Sequence, residues 1–267
     1  MLQNKSIAII GLGNIGNILI QRLISAGIPP ANIVACDTVP SRCKEASDRF
    51  GVHVVPLEDE LVVGADIILI ATPPKTVLDI ARALASKLHL GQMVISFAAA
   101  VPLQLIENAL SAHIAIARVM PCAPSLVGRG INPVCFGKAV TPEAESMVRA
   151  LLNTLGSTFV VSDAQMNWCV GLTGAAMRSL LPVLEGMTQA GIDAGFSPET
   201  SRRIAAQMMQ GTAELILQTN YSFDDLKRLT PMQTVDEAGV SQTFLEAVRN
   251  AKDKMEQTEM KLWGRSI

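Results

Sequence analysis

Residues 6–16 read SIAIIGLGNIG, and this stretch decides the fold that the sequence predicts. Ser6–Ile10 is a short apolar run typical of a buried strand, and helical spacing of apolar residues follows the glycines. A G-x-G-x-x-G pattern between a strand and a helix is the context in which it binds a dinucleotide. In that role Gly11 permits the tight turn, Gly13 lets the backbone approach a pyrophosphate, and Gly16 lets the helix pack on the strand.

The periodicity of the chain changes near residue 162. Before it, apolar strands alternate with helices, which predicts an α/β fold with a doubly wound, Rossmann-type sheet over residues 1–162. After it, strand signals vanish, so residues 163–267 are predicted to form an all-helical domain. Its predicted features are one long helix over Met166–Leu184, helix starts at Ser197 and Ser222, and a final helix from Ser241.

Composition excludes several classes of protein. The 267 residues carry 22 Lys and Arg against 24 Asp and Glu, and 49% are apolar, which excludes a disordered chain. The sequence pI of about 6.0 excludes a nucleic-acid binder that depends on a basic field. No stretch has the ~20 continuous apolar residues of a membrane span. Five cysteines without a Cys-x-x-Cys pair indicate a reducing, cytoplasmic location, and three scattered histidines predict no metal site.

The residues around the end of the second strand give conflicting indications about whether the cofactor is NAD or NADP. Asp37 ends the second strand, where a carboxylate can accept hydrogen bonds from both ribose hydroxyls and repels a 2′-phosphate. Thr38, Ser41, Arg42 and Lys44 follow directly and could instead hold that phosphate. The balance lies slightly toward NADH, and the cofactor is expected to be NAD(P)H.

Three further strands end in loops that should complete the cofactor site, because ligands of open α/β sheets lie past the carboxyl ends of the strands. Cys122, in the third of these loops, is expected to line the nicotinamide pocket as a small thiol rather than to act as a nucleophile. The residues expected to bind the cofactor are Gly11, Gly13, Asn14, Ile15, Gly16, Asp37, Thr38, Arg42, Ala71, Thr72, Pro73, Ala98, Ala99, Met120, Pro121 and Cys122.

With these residues in place, the chain resembles the pyrroline-5-carboxylate reductases, the last enzymes of proline synthesis. The stretches that carry the likeness are GLGNIGN at 11–17, ADIILIATPP at 65–74, GQMVISFAAAVP at 91–102, RVMPCAPSLVGRG at 118–130 and the helical run at 183–216. The resemblance implies hydride transfer from nicotinamide to a small cyclic imine. It also implies that residues 163–267 serve dimerisation and substrate binding. The expected assembly is a homodimer, or a larger oligomer built from dimers, whose interlocking helices share a site between subunits.

The substrate half departs from the family. Thr173–Ser179 stands where the family has Ser-Gly-Ser-Gly-Pro-Ala-Tyr, and Pro231–Asp236 stands where it has Ser-Pro-Gly-Gly-Thr-Thr. If Asp236 faces the substrate carboxylate, two like charges repel, and the substrate would be a different imine or carbonyl compound. Alternatively, Asp236 caps a helix at the surface. Expected to act on the substrate are Thr173, Thr234, Asp236 and Arg178, the last able to hold an anionic group.

Two other functions stay open. A β-hydroxyacid dehydrogenase needs a lysine as general acid and base on the helix after the first domain, whereas Met166–Leu184 offers only Arg178. A dinucleotide-binding protein that has lost its substrate site, and senses redox state or binds a partner, fits the rewritten motifs. No acid–base dyad stands out, which suits imine reduction because the cofactor performs the chemistry.

Overall fold

The first half of the chain forms one eight-stranded sheet in the order β3-β2-β1-β4-β5-β6-β7-β8. The computed structural model describes residues 2–264. The strands from β1 to β6 pair in parallel, β7 runs antiparallel to β6, and β8 is parallel to β7. This order confirms the predicted doubly wound sheet. Its strands are β1 Ile7–Ile10, β2 Ile33–Cys36, β3 His53–Val54, β4 Ile67–Ile70, β5 Met93–Ser96, β6 Ala115–Val119, β7 Gly130–Phe136 and β8 Gly156–Val160.

The central strands are apolar throughout because helices cover the sheet on both faces. Every residue of β1, β2, β4 and β5 is buried. Alternate side chains enter two separate apolar clusters, so Ile7 and Ile9 join one while Ala8 and Ile10 join the other. The helices of this part are α1 Asn14–Ser25, α2 Pro40–Phe50, α3 Glu60–Val63, α4 Pro74–Ala85, α5 Leu103–Ala109 and α6 Pro142–Asn153.

The remainder is helical, as predicted, but the prediction of a single long helix over Met166–Leu184 is wrong. A π-helical turn, Val170–Gly174, interrupts it, with Ala175 N donating to Val170 O at 2.7 Å. Gly171 in this turn lies against Val248, whose carbonyl oxygen would be 2.6 Å from any Cβ, so close packing accompanies the irregular turn. The helices are α7 Met166–Cys169, α8 Ala176–Asp193, α9 Pro198–Gln218, α10 Phe223–Leu229 and α11 Glu237–Trp263.

The predicted helix starts are partly confirmed. Ser197 accepts a hydrogen bond from Thr200 N, and Ser222 forms a capping box with Asp225. The last helix begins at Glu237 rather than at Ser241, because the Asp236 side chain accepts a hydrogen bond from Gly239 N at 3.1 Å and starts the helix earlier.

The chain divides into two compact units, which we call the sheet unit and the helical unit. The sheet unit comprises the residues up to Ala175 together with the segment from Val248, and the helical unit comprises Ala176–Ala247. The predicted domain boundary at residue 162 stays a prediction, because compactness places residues 163–175 and the end of α11 with the sheet. Within the helical unit, α8 and α9 pack closely where Gly191 lies against Ser201.

Candidate functional site

The three glycines after β1 meet different surroundings. Gly11 has a φ of +99°, and a Cβ there would lie 2.7 Å from Ala71 O. A Cβ on Gly16 would collide with the carbonyl oxygen of Gly11, whereas Gly13 has no atom within 4 Å of the corresponding position. The protein's own packing therefore requires glycine at 11 and 16. Only at Gly13 does open space allow an external group to approach the backbone.

The N-terminus of α1 suits an anion. No side chain caps the helix at Gly13, and Asn14 and Ile15 are its first two residues, so their N–H groups have no acceptor within the helix. Asn17 Nδ2, in the first turn of α1, donates to Leu12 O at 2.9 Å and to Gly13 O at 3.0 Å, and these hydrogen bonds hold the glycine loop in place. A pyrophosphate at this position would meet ordered backbone donors.

An unpaired hydroxyl lies beside this loop at the end of β4. Thr72 Oγ1 is buried and has no hydrogen-bond partner among the described residues. The Thr72 methyl lies 2.8 Å from the position of a Cβ on Gly11, so the side chain adjoins the loop. Its neighbours Ala71 and Pro73 lead from the strand into α4, whose N-cap is Pro73. A buried hydroxyl without a partner is costly, and a polar ligand here would satisfy it.

Asp37 is committed to the protein backbone. Its Oδ2 accepts a hydrogen bond from Leu12 N at 2.7 Å, and its Oδ1 accepts one from Val39 N at 2.8 Å. The side chain is only 7% exposed, while that of Arg42 is 52% exposed, and Arg42 Nη1 lies 3.6 Å from Asp37 Oδ2. Thr38 is exposed beside them. The carboxylate therefore orders the glycine loop, and the guanidinium faces solvent next to it.

The end of β6 is close to the π-helical turn. A Cβ on Gly174 would lie 3.9 Å from Met120 Sδ and from Pro121 O. Next to it, Thr173 is buried and its hydroxyl donates to Cys169 O at 2.8 Å. The structure thus brings Gly174 near two predicted cofactor residues, while the hydroxyl proton of the adjacent Thr173 is already donated within its own helix.

Cys122 does not present a free thiol. Its Sγ accepts a hydrogen bond from Ile131 N at 3.3 Å and lies 3.6 Å from Ile131 O, and the residue is 4% exposed. Among the other cysteines, burial raises the pKa of Cys36 and of Cys135 to about 12, with Asp37 and Asp163 adding to the respective effects. Neither of these two thiols is available as a thiolate near neutral pH.

The other predicted substrate residues lie in the helical unit. Arg178 is exposed on α8, and Thr234 is exposed in the segment before α11. Asp236 directly precedes α11 and accepts the hydrogen bond from Gly239 N. Asp236 therefore matches the alternative interpretation, a helix-capping surface residue, and its carboxylate has a structural use.

A buried ionic cluster was missed by the sequence analysis. Arg118 on β6 is 1% exposed, its Nη1 donates to Asp163 Oδ1 at 2.7 Å, and its Nη2 lies 3.7 Å from Glu259 Oε1. Asn167 donates to Glu259 at 3.0 Å, and Asp163 accepts a hydrogen bond from Leu103 N at 2.8 Å. The available signal was an arginine inside the apolar strand AIARV, since buried charges are paired.

Family models match both halves of the chain. Residues 6–100 match the family described as NADP oxidoreductase coenzyme F420-dependent. Residues 163–258 match the family described as pyrroline-5-carboxylate reductase dimerisation. Among the described residues, no helix has the length and apolar character needed to cross a membrane.

Curated relatives match along nearly the whole chain. A pyrroline-5-carboxylate reductase from Methanosarcina acetivorans is 28% identical over 263 residues, which is 95% of this chain and 97% of that protein. One from Escherichia coli is 27% identical over 262 residues, covering 94% of this chain and 97% of that protein.

Solved structures share the fold. The pyrroline carboxylate reductase of Plasmodium falciparum with NADP bound superposes with a TM-score of 0.84 at 20% identity, covering 96% of this chain and 99% of that one. The enzyme from Coxiella burnetii gives a TM-score of 0.82 at 22% identity, covering 95% and 98%. The sheet order, the glycine loop and these full-length matches agree, and along nearly its whole length the chain is similar to pyrroline-5-carboxylate reductases.

Proposed function

We propose that this protein is an NAD(P)H-dependent reductase of a cyclic imine, converting pyrroline-5-carboxylate to proline or reducing a closely related imine. One observation carries the proposal. An intact dinucleotide loop follows the carboxyl end of β1, in a chain that matches a pyrroline-5-carboxylate reductase over 95% of its length. The loop fits the cofactor, because Gly13 is open, α1 is uncapped, and Thr72 has a hydroxyl without a partner among the described residues.

The chemistry asks little of the protein's acids and bases. When bound, the nicotinamide would supply the hydride that converts a protonated C=N group to the secondary amine. The chain has to orient the two rings and exclude water. Gly11, Gly13 and Gly16 would hold the pyrophosphate end of the cofactor, and the loops at Ala98 and Met120 would face its nicotinamide end. The absence of a lysine from Met166–Leu184 makes a hydroxyacid dehydrogenase the weaker candidate.

The arrangement around Asp37 favours NADPH over NADH. Both carboxylate oxygens already accept backbone hydrogen bonds, and Arg42 stands beside them with half its side chain in solvent. An arginine placed in this way can bind a 2′-phosphate with charge-assisted hydrogen bonds. The slight initial preference for NADH therefore gives way to the proposal that NADPH is the physiological reductant.

The two candidate substrates are pyrroline-5-carboxylate and a closely related imine. Because the Asp236 carboxylate accepts a hydrogen bond from Gly239 N, the structure gives it a role other than repelling a substrate carboxylate. That supports pyrroline-5-carboxylate itself. Thr234 and Arg178 are proposed to contact it, and both are exposed in the single chain.

We also propose that the protein works as a homodimer, or as a larger oligomer built from dimers. No residue of α8 is buried, although the helix is rich in large apolar side chains. Apolar surface of this extent marks an interaction site, and the helical unit lies within the match to the dimerisation family. The cytoplasmic location stays a prediction.

The decisive experiment measures the loss of nicotinamide absorbance with a panel of cyclic imines and 2-oxo acids, each with NADPH and NADH. We expect turnover of pyrroline-5-carboxylate with kcat/KM of about 10⁴ M⁻¹s⁻¹ or more. Faster turnover of another imine would identify a changed substrate. Tight NADPH binding without turnover of any cyclic imine would contradict the proposal and favour a dinucleotide-binding protein that has lost its substrate site.

A further inference from the structure

The loop after β5 contains a residue in an unfavourable conformation. Among the described residues, Ala100 is the only one other than glycine with a positive φ, at +55°. A Cβ disfavours this left-handed region because it crowds the following carbonyl oxygen. Ala100 is fully buried and directly follows Ala98 and Ala99, which are predicted to contact the cofactor. Backbone strain of this kind persists only where the surroundings enforce it.

A side chain of the last helix contacts this strained residue. Trp263, the last residue of α11, donates from its indole Nε1 to Ala100 O at 2.7 Å. Its ring packs against the apolar cluster that includes Val101 and Met120. The peptide group at Ala100 is thus held by a hydrogen bond from a side chain that lies 163 residues away in sequence.

The end of α11 that carries Trp263 has a second anchor outside the loop. Glu259 lies one turn earlier on the same face of α11 and is 4% exposed. It accepts a hydrogen bond from Asn167 Nδ2 at 3.0 Å and faces Arg118 Nη2 at 3.7 Å. Within the sheet unit, the end of α11 is therefore held at two points four residues apart. One is an ionic cluster and the other is the strained loop.

We propose that Trp263 is a positioning residue for hydride transfer, which acts by holding the Ala98–Ala100 loop in the conformation that receives the nicotinamide ring. The inference rests on the proposed function, because it assigns the loop to the cofactor. The loop leaves the carboxyl end of β5, next to the loops that follow β4 and β6, which is where ligands of such sheets bind. A hydrogen bond to the carbonyl of the strained residue fixes the backbone without occupying the site.

The test compares Trp263→Phe with Trp168→Phe. The first keeps an aromatic ring and removes the N–H donor. The second removes the other tryptophan of the chain, whose ring faces Lys252 at 5.5 Å. For W263F we expect amide hydrogen exchange at residues 98–101 to rise about tenfold in the cofactor-free protein. We also expect the Kd for NADPH, by calorimetry, to rise about three- to tenfold, the factor that one backbone hydrogen bond is worth. For W168F both quantities should stay within about twofold.

A rescue variant separates positioning from general stability. Glycine adopts positive φ without a steric penalty, so W263F combined with Ala100→Gly should recover much of the NADPH affinity that W263F loses. In active protein, W263F should lower kcat while the KM for the imine stays within about twofold.

Three results would overturn the inference: unchanged loop exchange in W263F, equal effects of W263F and W168F, or no recovery with A100G. If the wild-type protein binds no dinucleotide, the proposed function fails, and positioning for hydride transfer fails with it. Loop exchange in the cofactor-free protein then shows separately whether Trp263 holds the loop.

Discussion

The sheet unit and the helical unit differ in how far they bury their apolar side chains. In the sheet unit the central strands are buried completely by the chain's own helices. In the helical unit no residue of α8 is buried, and on α9 Ile204, Met208 and Leu217 are 49%, 57% and 83% exposed. The sheet unit therefore covers its own central strands, whereas the helical unit leaves large apolar side chains exposed, as is typical of an interaction surface.

The largest effect is expected from the buried ionic cluster of the sheet unit. Arg118→Met leaves the carboxylates of Asp163 and Glu259 without their cationic partner, which should lower the free energy of unfolding by about 3–5 kcal/mol. Denaturant unfolding measures it. The control Arg82→Met removes an exposed pair with Asp79 and should cost about 0.5 kcal/mol or less. Equal losses of unfolding free energy in the two variants would show that the buried cluster stabilises the protein no more than an exposed ion pair does.

The glycine loop offers the next contrast. Gly16→Ala places a Cβ against the carbonyl of Gly11, so we expect about 1–3 kcal/mol of destabilisation and loss of measurable NADPH binding. The Cβ added by Gly13→Ala meets no protein atom within 4 Å, so this variant should be as stable as the wild type. It should nevertheless bind NADPH more weakly, because the Cβ occupies the space into which the cofactor would fit. Thermal unfolding and calorimetry distinguish the two. A stable G16A protein with normal affinity would contradict the packing argument.

Oligomerisation tests the helical unit. Met208→Glu places a charge on the exposed apolar surface of α9 and should weaken self-association by about 2 kcal/mol, or roughly 30-fold. The matched control, Leu90→Glu, alters a residue of the sheet unit that is 78% exposed and should leave the oligomer unchanged. Sedimentation over a concentration series measures both. A wild-type chain that is monomeric at all concentrations would break the contrast between the units.

The smallest effect concerns the choice of cofactor. Arg42→Ala should raise the Kd for NADPH about tenfold and change that for NADH by less than twofold, because only NADPH offers a 2′-phosphate for a charge-assisted hydrogen bond. Arg49→Ala removes the same charge from the last turn of α2 and serves as the control. If R42A weakens both cofactors equally, Arg42 acts on the loop through Asp37 instead.

The sequence predicted the sheet well because its signals are local. A strand, three spaced glycines and an apolar helix fall within about 20 residues, and two-sided burial makes each parallel strand continuously apolar. The break in the helix at Val170–Gly174 could not be predicted in this way. Gly171 packs against Val248, and no window of sequence contains both residues.

The sequence by itself determined the fold class, the glycine loop and the resemblance to a known family, because these depend on periodicity and on motifs of fixed spacing. Only the tertiary structure decided what individual side chains do. Asp37 is turned to the loop backbone, Asp236 starts a helix, and Trp263 reaches Ala100. The physical reason is that hydrogen bonds and buried charges depend on distances of a few ångströms, and folding sets these between residues far apart in the chain.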